Sequence, residues 1–390
     1  MKPKICILSF SNIAWDARIL REIDAASREF EVDVIGYGKW EGEDKARFFS
    51  LPRTAGGWQI ALSKYTRVPL GYLFPQYWEA HYWLRREYKL ALDILIKGKY
   101  DLIHANDWHS LPIVARAAQQ VGSKILFDAH EYAPSQRVDE LIVRLFHIPV
   151  RVYLIKTYQN CASKTITVSE GLRDLYNENF GWDCKVIMNA PYYVKSDFRP
   201  VDPNEIQIIH HGGAMPGRHL EEFIKLAALL DQRYKFNFML MPSNLKYLDE
   251  LKSLSDQLAY GRVMFHAPVP PREISEKIVQ FDVGIPFMHA NTLNIYNALP
   301  NKFFDYVMAG LAIVVPPLPS MQKIVERNKM GAVSADQSIQ SVATLLNSLS
   351  VEEINQFKRN ALLAAKTLNA DVEMKKLIGM YNEILNANPS

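Results

Sequence analysis

The chain has 390 residues, 48% of them hydrophobic, which is enough apolar material for two domain cores. Lys and Arg outnumber Asp and Glu by only 45 to 42 and form no long basic run, so no nucleic-acid partner is expected. The three scattered cysteines, Cys6, Cys161 and Cys184, lack a C-x-x-C pair and suggest neither a disulfide framework nor a zinc site, and no run reaches 18 apolar residues. A cytoplasmic chain that does not span a membrane is the expectation.

The first half alternates strand-like and helical stretches. "KICILSF" is a short apolar run, "DARILREIDAASREF" has helical spacing, and "EVDVIGY", "YDLIHA", "KILFDAH" and "KTITVS" are further strand-like runs. That alternation predicts an α/β domain with a parallel sheet. From Met188 to Glu205 three prolines and several polar residues interrupt it, and "IQIIHHGG" restarts it. The expected organisation is a first domain over residues 1–195, a second over 205–372, and a closing helix over 373–390 packing back on the first. Both domains read as doubly wound, facing a central cleft, with chemistry on the loops after the strands.

Residues 51–99 break the rhythm, with many aromatics and eight Lys/Arg against three Asp/Glu. Aromatic and basic side chains mixed over residues 58–89 suit peripheral contact with a membrane surface. A helical hairpin with its aromatics in the core and its cations solvated accounts for the same composition.

Several loops could carry chemistry. "IQIIHHGGAMPGRHLEEFIKL" reads as a strand, a Gly-rich turn holding Gly212, Gly213 and Arg218, and a helix beginning near His219. Gly212 and Gly217 have Walker spacing, but Arg218-His219 stands where Lys-Ser/Thr would, and a dinucleotide fingerprint would need glycine at Ala214; bare backbone, one guanidinium and a helix start still suit a diphosphate. A tight turn with a surface Arg would look alike. "KILFDAHEYAP" puts Asp128, His130 and Glu131 at a strand end, and "YDLIHANDWHSLP" offers His104, Asp107 and His109. The latter suit a capped helix start better than a metal site, since no third ligand stands nearby in sequence. In "LPNKFFDYVMAGLAIVV", Pro300 opens a helix and Gly310 closes it, with Lys302 and Asp305 one turn apart; a solvated lysine and a surface acid would produce the same pattern.

Taken together, "DARILREI", "DLIHANDWHSLP", "FDAHE", "TVSEGL", "VIMNAP", "GRHLEE" and "LPNKFFDYVMAGLAIVV" resemble, in order, a retaining GT-B glycosyltransferase of family 4 type. The resemblance implies an enzyme that transfers a sugar, with retention, from a UDP- or GDP-linked donor to a glycan or lipid-linked acceptor in cell-surface polysaccharide or glycolipid synthesis. It implies no metal and no cofactor besides the donor, and a place in the cytoplasm or at the inner membrane face. The family's diphosphate-binding cation falls on Arg218. A second basic position falls on Gly213, with Lys302 as the candidate replacement. The family's paired glutamates fall on Asn297, toward the transferred sugar, and Asp305, toward the ribose. The family's sugar-facing histidine falls on His130, and its first acceptor-side loop on Ser9 to Asp16. A GT-B-like subunit that binds nucleotide or glycan without turnover, and a sugar-nucleotide epimerase, are the alternatives.

Overall fold

The computed structural model describes residues 2–42, 44–53, 58–136, 140–288, 290 and 292–387. The chain divides into two compact units, Met1–Met188 with Met374–Ser390, and Asn189–Glu373. The first holds seven parallel strands: β1 (Lys4–Asn12), β2 (Glu31–Tyr37), β3 (Arg47–Leu51), β4 (Leu102–Asn106), β5 (Lys124–Ala129), β6 (Lys164–Thr167) and β7 (Cys184–Val186). Their order is β3-β2-β1-β4-β5-β6-β7, so the winding reverses between β1 and β4. The second unit holds β8 (Ile206–Gly213), β9 (Tyr234–Met241), β10 (Val263–His266), β11 (Val283–Gly284), β12 (Ala312–Val315) and β13 (Gly331–Val333). There the order is β10-β9-β8-β11-β12-β13, reversing between β8 and β11.

Sheets covered by helices on both faces demand strands that are apolar on both sides, and Ile5 to Leu8 of β1 and Ala312 to Val315 of β12 are completely buried. The helix Ala17–Ala26 starts at Asp16, whose carboxylate accepts the Arg18 and Ile19 N–H groups, and buries Ile19 and Ile23. The closing helix runs over Ala370–Asn386 and packs Met374, Leu377, Tyr381 and Ile384 against Ile5, Ile7 and Ile23 of the first unit. Lys124 Nζ donates to the carbonyls of Ile384 (2.8 Å) and Leu385 (3.1 Å), satisfying acceptors that the helix end leaves open.

Two expectations shift. Residues 189–195, placed in the first domain by the sequence, cluster with the second unit, where the Ala370 N–H donates to the Pro191 carbonyl at 2.7 Å. The aromatic stretch divides between core and surface. It forms the helices Trp58–Leu70, Gln76–Tyr82 and Arg86–Gly98; Tyr82 and Tyr88 stack in the core, ring centroids 4.5 Å apart, while Trp58, Tyr65, Leu73 and Phe74 face solvent.

Tyr381 is fully buried with its hydroxyl 2.6 Å from His104 Nδ1. Tyr381→Phe keeps the ring and strands that nitrogen, so it should cost about 1–3 kcal/mol of first-unit stability. Denaturant unfolding checks this, and an unchanged midpoint would remove the bond from the unit's stability.

Candidate functional site

In the second unit, the carboxyl end of β8 lies at the winding reversal. Gly212 has φ +147°, and a Cβ there would stand 3.2 Å from both Arg218 Nη1 and Lys302 Nζ. The two cationic heads therefore gather over one patch of bare backbone, although their residues lie far apart in sequence. A Cβ on Gly213 would instead meet Ser243 Oγ at 3.1 Å. Arg218 sits on the 3₁₀ turn Pro216–Arg218, His219 takes a left-handed φ of 50°, and the helix begins only at Glu221. The expected start near His219 is thus displaced, because the chain must turn back at His219 before it can wind. Glu221 and Glu222 fill that helix's first turn, and Glu221 accepts the Tyr247 hydroxyl at 2.5 Å. The positive end of this helix already faces carboxylates, which leaves anion attraction to the side-chain cations.

Lys302 occupies the first turn of the helix Asn301–Met308, entered through Pro300, and is buried. His210 Nδ1 lies 2.8 Å from the Ile285 carbonyl, which can only accept, so Nδ1 carries the proton. The lone pair on His210 Nε2 then accepts from Lys302 Nζ at 3.1 Å. The ammonium also lies 5.4 Å from the centre of the Phe287 ring. Burial and then the nearby Arg218 push the Lys302 pKa down to about 7, with Asp305 pulling the other way. One turn on, Asp305 Oδ2 is 3.4 Å from His211 Nε2, and Oδ1 accepts from Ser275 Oγ at 3.5 Å. Burial and Lys302 lower His211 to about 3, which keeps its ring neutral. The helix closes before Gly310 (φ +68°), which feeds β12. Asn297 ends the short helical turn Leu293–Tyr296, and its Nδ2 donates to the Leu293 carbonyl at 2.9 Å. One of its amide protons is thus committed to that turn.

In the first unit, His130 follows β5 with both ring nitrogens near oxygen atoms. Nε2 is 2.9 Å from Asn106 Oδ1 and 3.2 Å from Asp128 Oδ2, and Nδ1 is 3.7 Å from Asp107 Oδ2. Asn106 Nδ2 donates to the Leu8 carbonyl, which turns its oxygen toward the ring. Burial opposes charge on this histidine, but Asp128 and then Asp107 outweigh it and raise the pKa to about 10. Asp128 is the hub. Its Oδ2 takes Arg18 Nη2 at 2.6 Å and Nε at 2.8 Å, and His104 Nε2 stands 3.6 Å away. Burial would raise this carboxyl, yet Arg18 and His130 hold it well below its usual range.

Among the described residues, Glu22, His104 and Asp128 bring ligand atoms within 4.8 Å of one another, a spacing that a divalent cation could use. Arg18 Nε also lies 3.2 Å from Glu22 Oε1, so a guanidinium already supplies the positive charge to both carboxylates. The cluster reads as a buried ion network that aims His130. His104 is a β4 core residue bonded to Tyr381, and Ser110, not one of the quoted histidines or Asp107, stands before the helix Leu111–Val121.

The site residues named from sequence thus fall into two groups. Gly212, Arg218 and Lys302 meet, with Asp305 a turn away, while His130 belongs to the Asp128 network. Arg18, Asn106, His210 and Phe287 were missed as partners. The Arg18 and Glu22 pair at i, i+4 and the adjacent His210 and His211 within β8 were their faint signals.

Residues 17–190 match the family described as Glycosyltransferase Family 4. No curated protein matches the sequence. Among solved structures, the chain is similar to sucrose-phosphate synthase from Thermosynechococcus elongatus, at 14% identity and a TM-score of 0.73, covering 99% of this chain and 100% of that one. It is similar to HepE from Anabaena, solved with UDP and glucose, at 16% identity and a TM-score of 0.68, covering 98% and 100%. A UDP-forming alpha,alpha-trehalose-phosphate synthase from Burkholderia xenovorans, solved with glucose-6-phosphate, matches at 14% identity and a TM-score of 0.65, covering 97% and 100%. The match to Glycosyltransferase Family 4 thus lies within residues 17–190, in a chain whose two α/β units share the GT-B fold.

Proposed function

We propose that this protein transfers a sugar from a UDP- or GDP-linked donor to a glycan or lipid-linked acceptor, with retention, in the cytoplasm, as a step in cell-surface polysaccharide or glycolipid synthesis. The observation that supports it most is the meeting of Arg218 and Lys302 over Gly212. Two cations over bare backbone suit a diphosphate, and Asp305 one turn further along is suited to accept ribose hydroxyls. Two of the similar structures were solved with UDP and glucose or with glucose-6-phosphate, which agrees with such a donor and a sugar acceptor.

The chemistry asks for stabilisation of the departing nucleoside diphosphate, and preformed charges provide it without reorganisation. Arg218 and Lys302 would neutralise the leaving group while the acceptor hydroxyl attacks from the same face. His130, charged on both sides of neutral pH, suits hydrogen-bond donation to sugar oxygens and is unsuited to act as a base.

The wild-type protein should release nucleoside diphosphate slowly from its donor even without acceptor; a binding-only subunit would not. Arg218→Ala should weaken nucleoside-diphosphate affinity about 10- to 150-fold, the scale of one charge-assisted hydrogen bond, while leaving nucleoside affinity nearly unchanged. Calorimetry on both ligands decides, and equal losses would take Arg218 out of the phosphate site.

Lys302, near 7 when the site is empty, should gain a proton as a diphosphate settles beside it. The anion raises the pKa that burial depressed in the empty site, so protonation and ligand binding favour each other. Donor affinity should then fall as pH rises above about 7, by at most about tenfold per unit. UDP-glucose is a clean probe because its diphosphate ester has no proton titrating near neutrality. Flat affinity between pH 6.5 and 8.5 on the order of experimental error would contradict a lysine poised as described.

For His130, ¹⁵N-imidazole spectra at pH 8 should show both ring nitrogens protonated, as its pKa of about 10 requires. A neutral-ring signature there would mean that Asp128 does not hold the charge.

A further inference from the structure

The first unit exposes large apolar side chains in one neighbourhood built from two distant parts of the chain. Trp58 is 72% exposed, Tyr65 75%, Leu73 75% and Phe74 51% on the helix Trp58–Leu70 and the turn after it, and Leu141 is 64% and Ile142 61% exposed beside the helical turn Val143–His147. The Tyr72 hydroxyl donates to the Leu145 carbonyl at 2.5 Å, which joins the two parts into one surface. Soluble proteins rarely leave such a patch without a purpose.

Its charge is one-sided. Residues 58–78 and 141–158 contain no Asp or Glu, yet hold Lys64, Arg67, Arg144 and Lys156. Of the acidic residues just outside these stretches, Glu79 is paired with Arg116 at 2.6 Å, and Asp139 and Glu140 adjoin the second stretch in sequence. An occupant must be apolar where Leu73 and Phe74 reach it and anionic around them. A second copy of the same face would set cation against cation. Protruding tryptophan, tyrosine and leucine with lysine and arginine beside them match the depth profile of a bilayer, whose anionic headgroups lie above its acyl chains.

We propose that this surface, composed of the helix Trp58–Leu70, the turn through Phe74 and the segment at Leu141 to Leu145, docks the protein on an anionic lipid bilayer. The inference rests on the transferase reading in one respect: docking brings the enzyme to a lipid-linked acceptor. The patch itself extends beyond residues 58–89, because residues 141–145 contribute to it.

The full-length protein is sedimented with phosphatidylcholine vesicles and with phosphatidylcholine–phosphatidylglycerol vesicles at low and high salt. Binding is expected only to the anionic vesicles, weakened by salt, with roughly a fivefold loss in partitioning for each cation removed in Lys64→Gln, Arg67→Gln and Arg144→Gln combinations. A Leu73→Ser, Phe74→Ser, Leu141→Ser variant keeps every charge and should lose binding, while donor hydrolysis in solution stays at the wild-type rate. No sedimentation with anionic vesicles, or equal binding to both vesicle types, overturns the proposal. So does a dimer in analytical ultracentrifugation that the serine variant dissolves in the absence of vesicle binding. Because hydrolysis is read without lipid, docking can fail while the transferase reading stands, and the reverse.

Discussion

A lysine ammonium withdrawn from water governs the second unit. Burying a charge is costly unless something compensates it, and Lys302 meets a neutral imidazole lone pair, an aromatic face and, a turn away, one carboxylate. Around it the tautomer of His210 is fixed by the Ile285 carbonyl just after β11, His211 stays neutral, and Gly212 yields the space that a side chain would take. Each of these features makes sense if the site is incomplete until an anion arrives. A surface lysine would make no such demands on its neighbours.

The first unit solves the opposite problem. There Glu22 and Asp128 would be unstable in the interior alone, and Arg18 together with a protonated His130 balances them. Breaking a buried network by removing one member leaves the others uncompensated. His130 therefore owes its charge to Asp128 on β5 and to Asp107 just after β4, against the opposing charge of Arg18 on the first helix. The closing helix joins the same network through Tyr381 and His104.

Much of the architecture was legible because parallel strands covered on both faces must be continuously apolar, as "KICILSF" and "LAIVV" are. Pro300 and Gly310 framed their helix for reasons local to the backbone. The burial of Lys302 was not legible: its spacing is that of a solvated lysine, and only His210 and Phe287, brought from other segments, show otherwise. The helix start after Arg218 was misjudged because a left-handed φ is uncommon for any residue but glycine, and the sequence does not mark His219 as one that adopts it. The aromatic segment defeated composition, which cannot tell Tyr88 in the core from Leu73 in solvent; tertiary contacts sort them. The proline-rich boundary was visible, but the allegiance of residues 189–195 follows from tertiary contacts, among them the hydrogen bonds from Asn189 to Asn301 and from Ala370 to Pro191.

The cations around the exposed patch have a second consequence, for the colloidal behaviour of the protein. Arg144 stands between Ile142 and Leu145, and Lys64 and Arg67 interrupt the apolar side chains of the helix Trp58–Leu70. Charges so placed act as gatekeepers, keeping sticky surfaces of separate molecules apart. Their repulsion reaches only about 8 Å at physiological ionic strength and less in stronger salt, whereas apolar attraction is not screened. The features that would suit this face to a membrane thus make salt, ordinarily a solubilising additive for a protein with basic patches, the condition under which free molecules begin to adhere to one another.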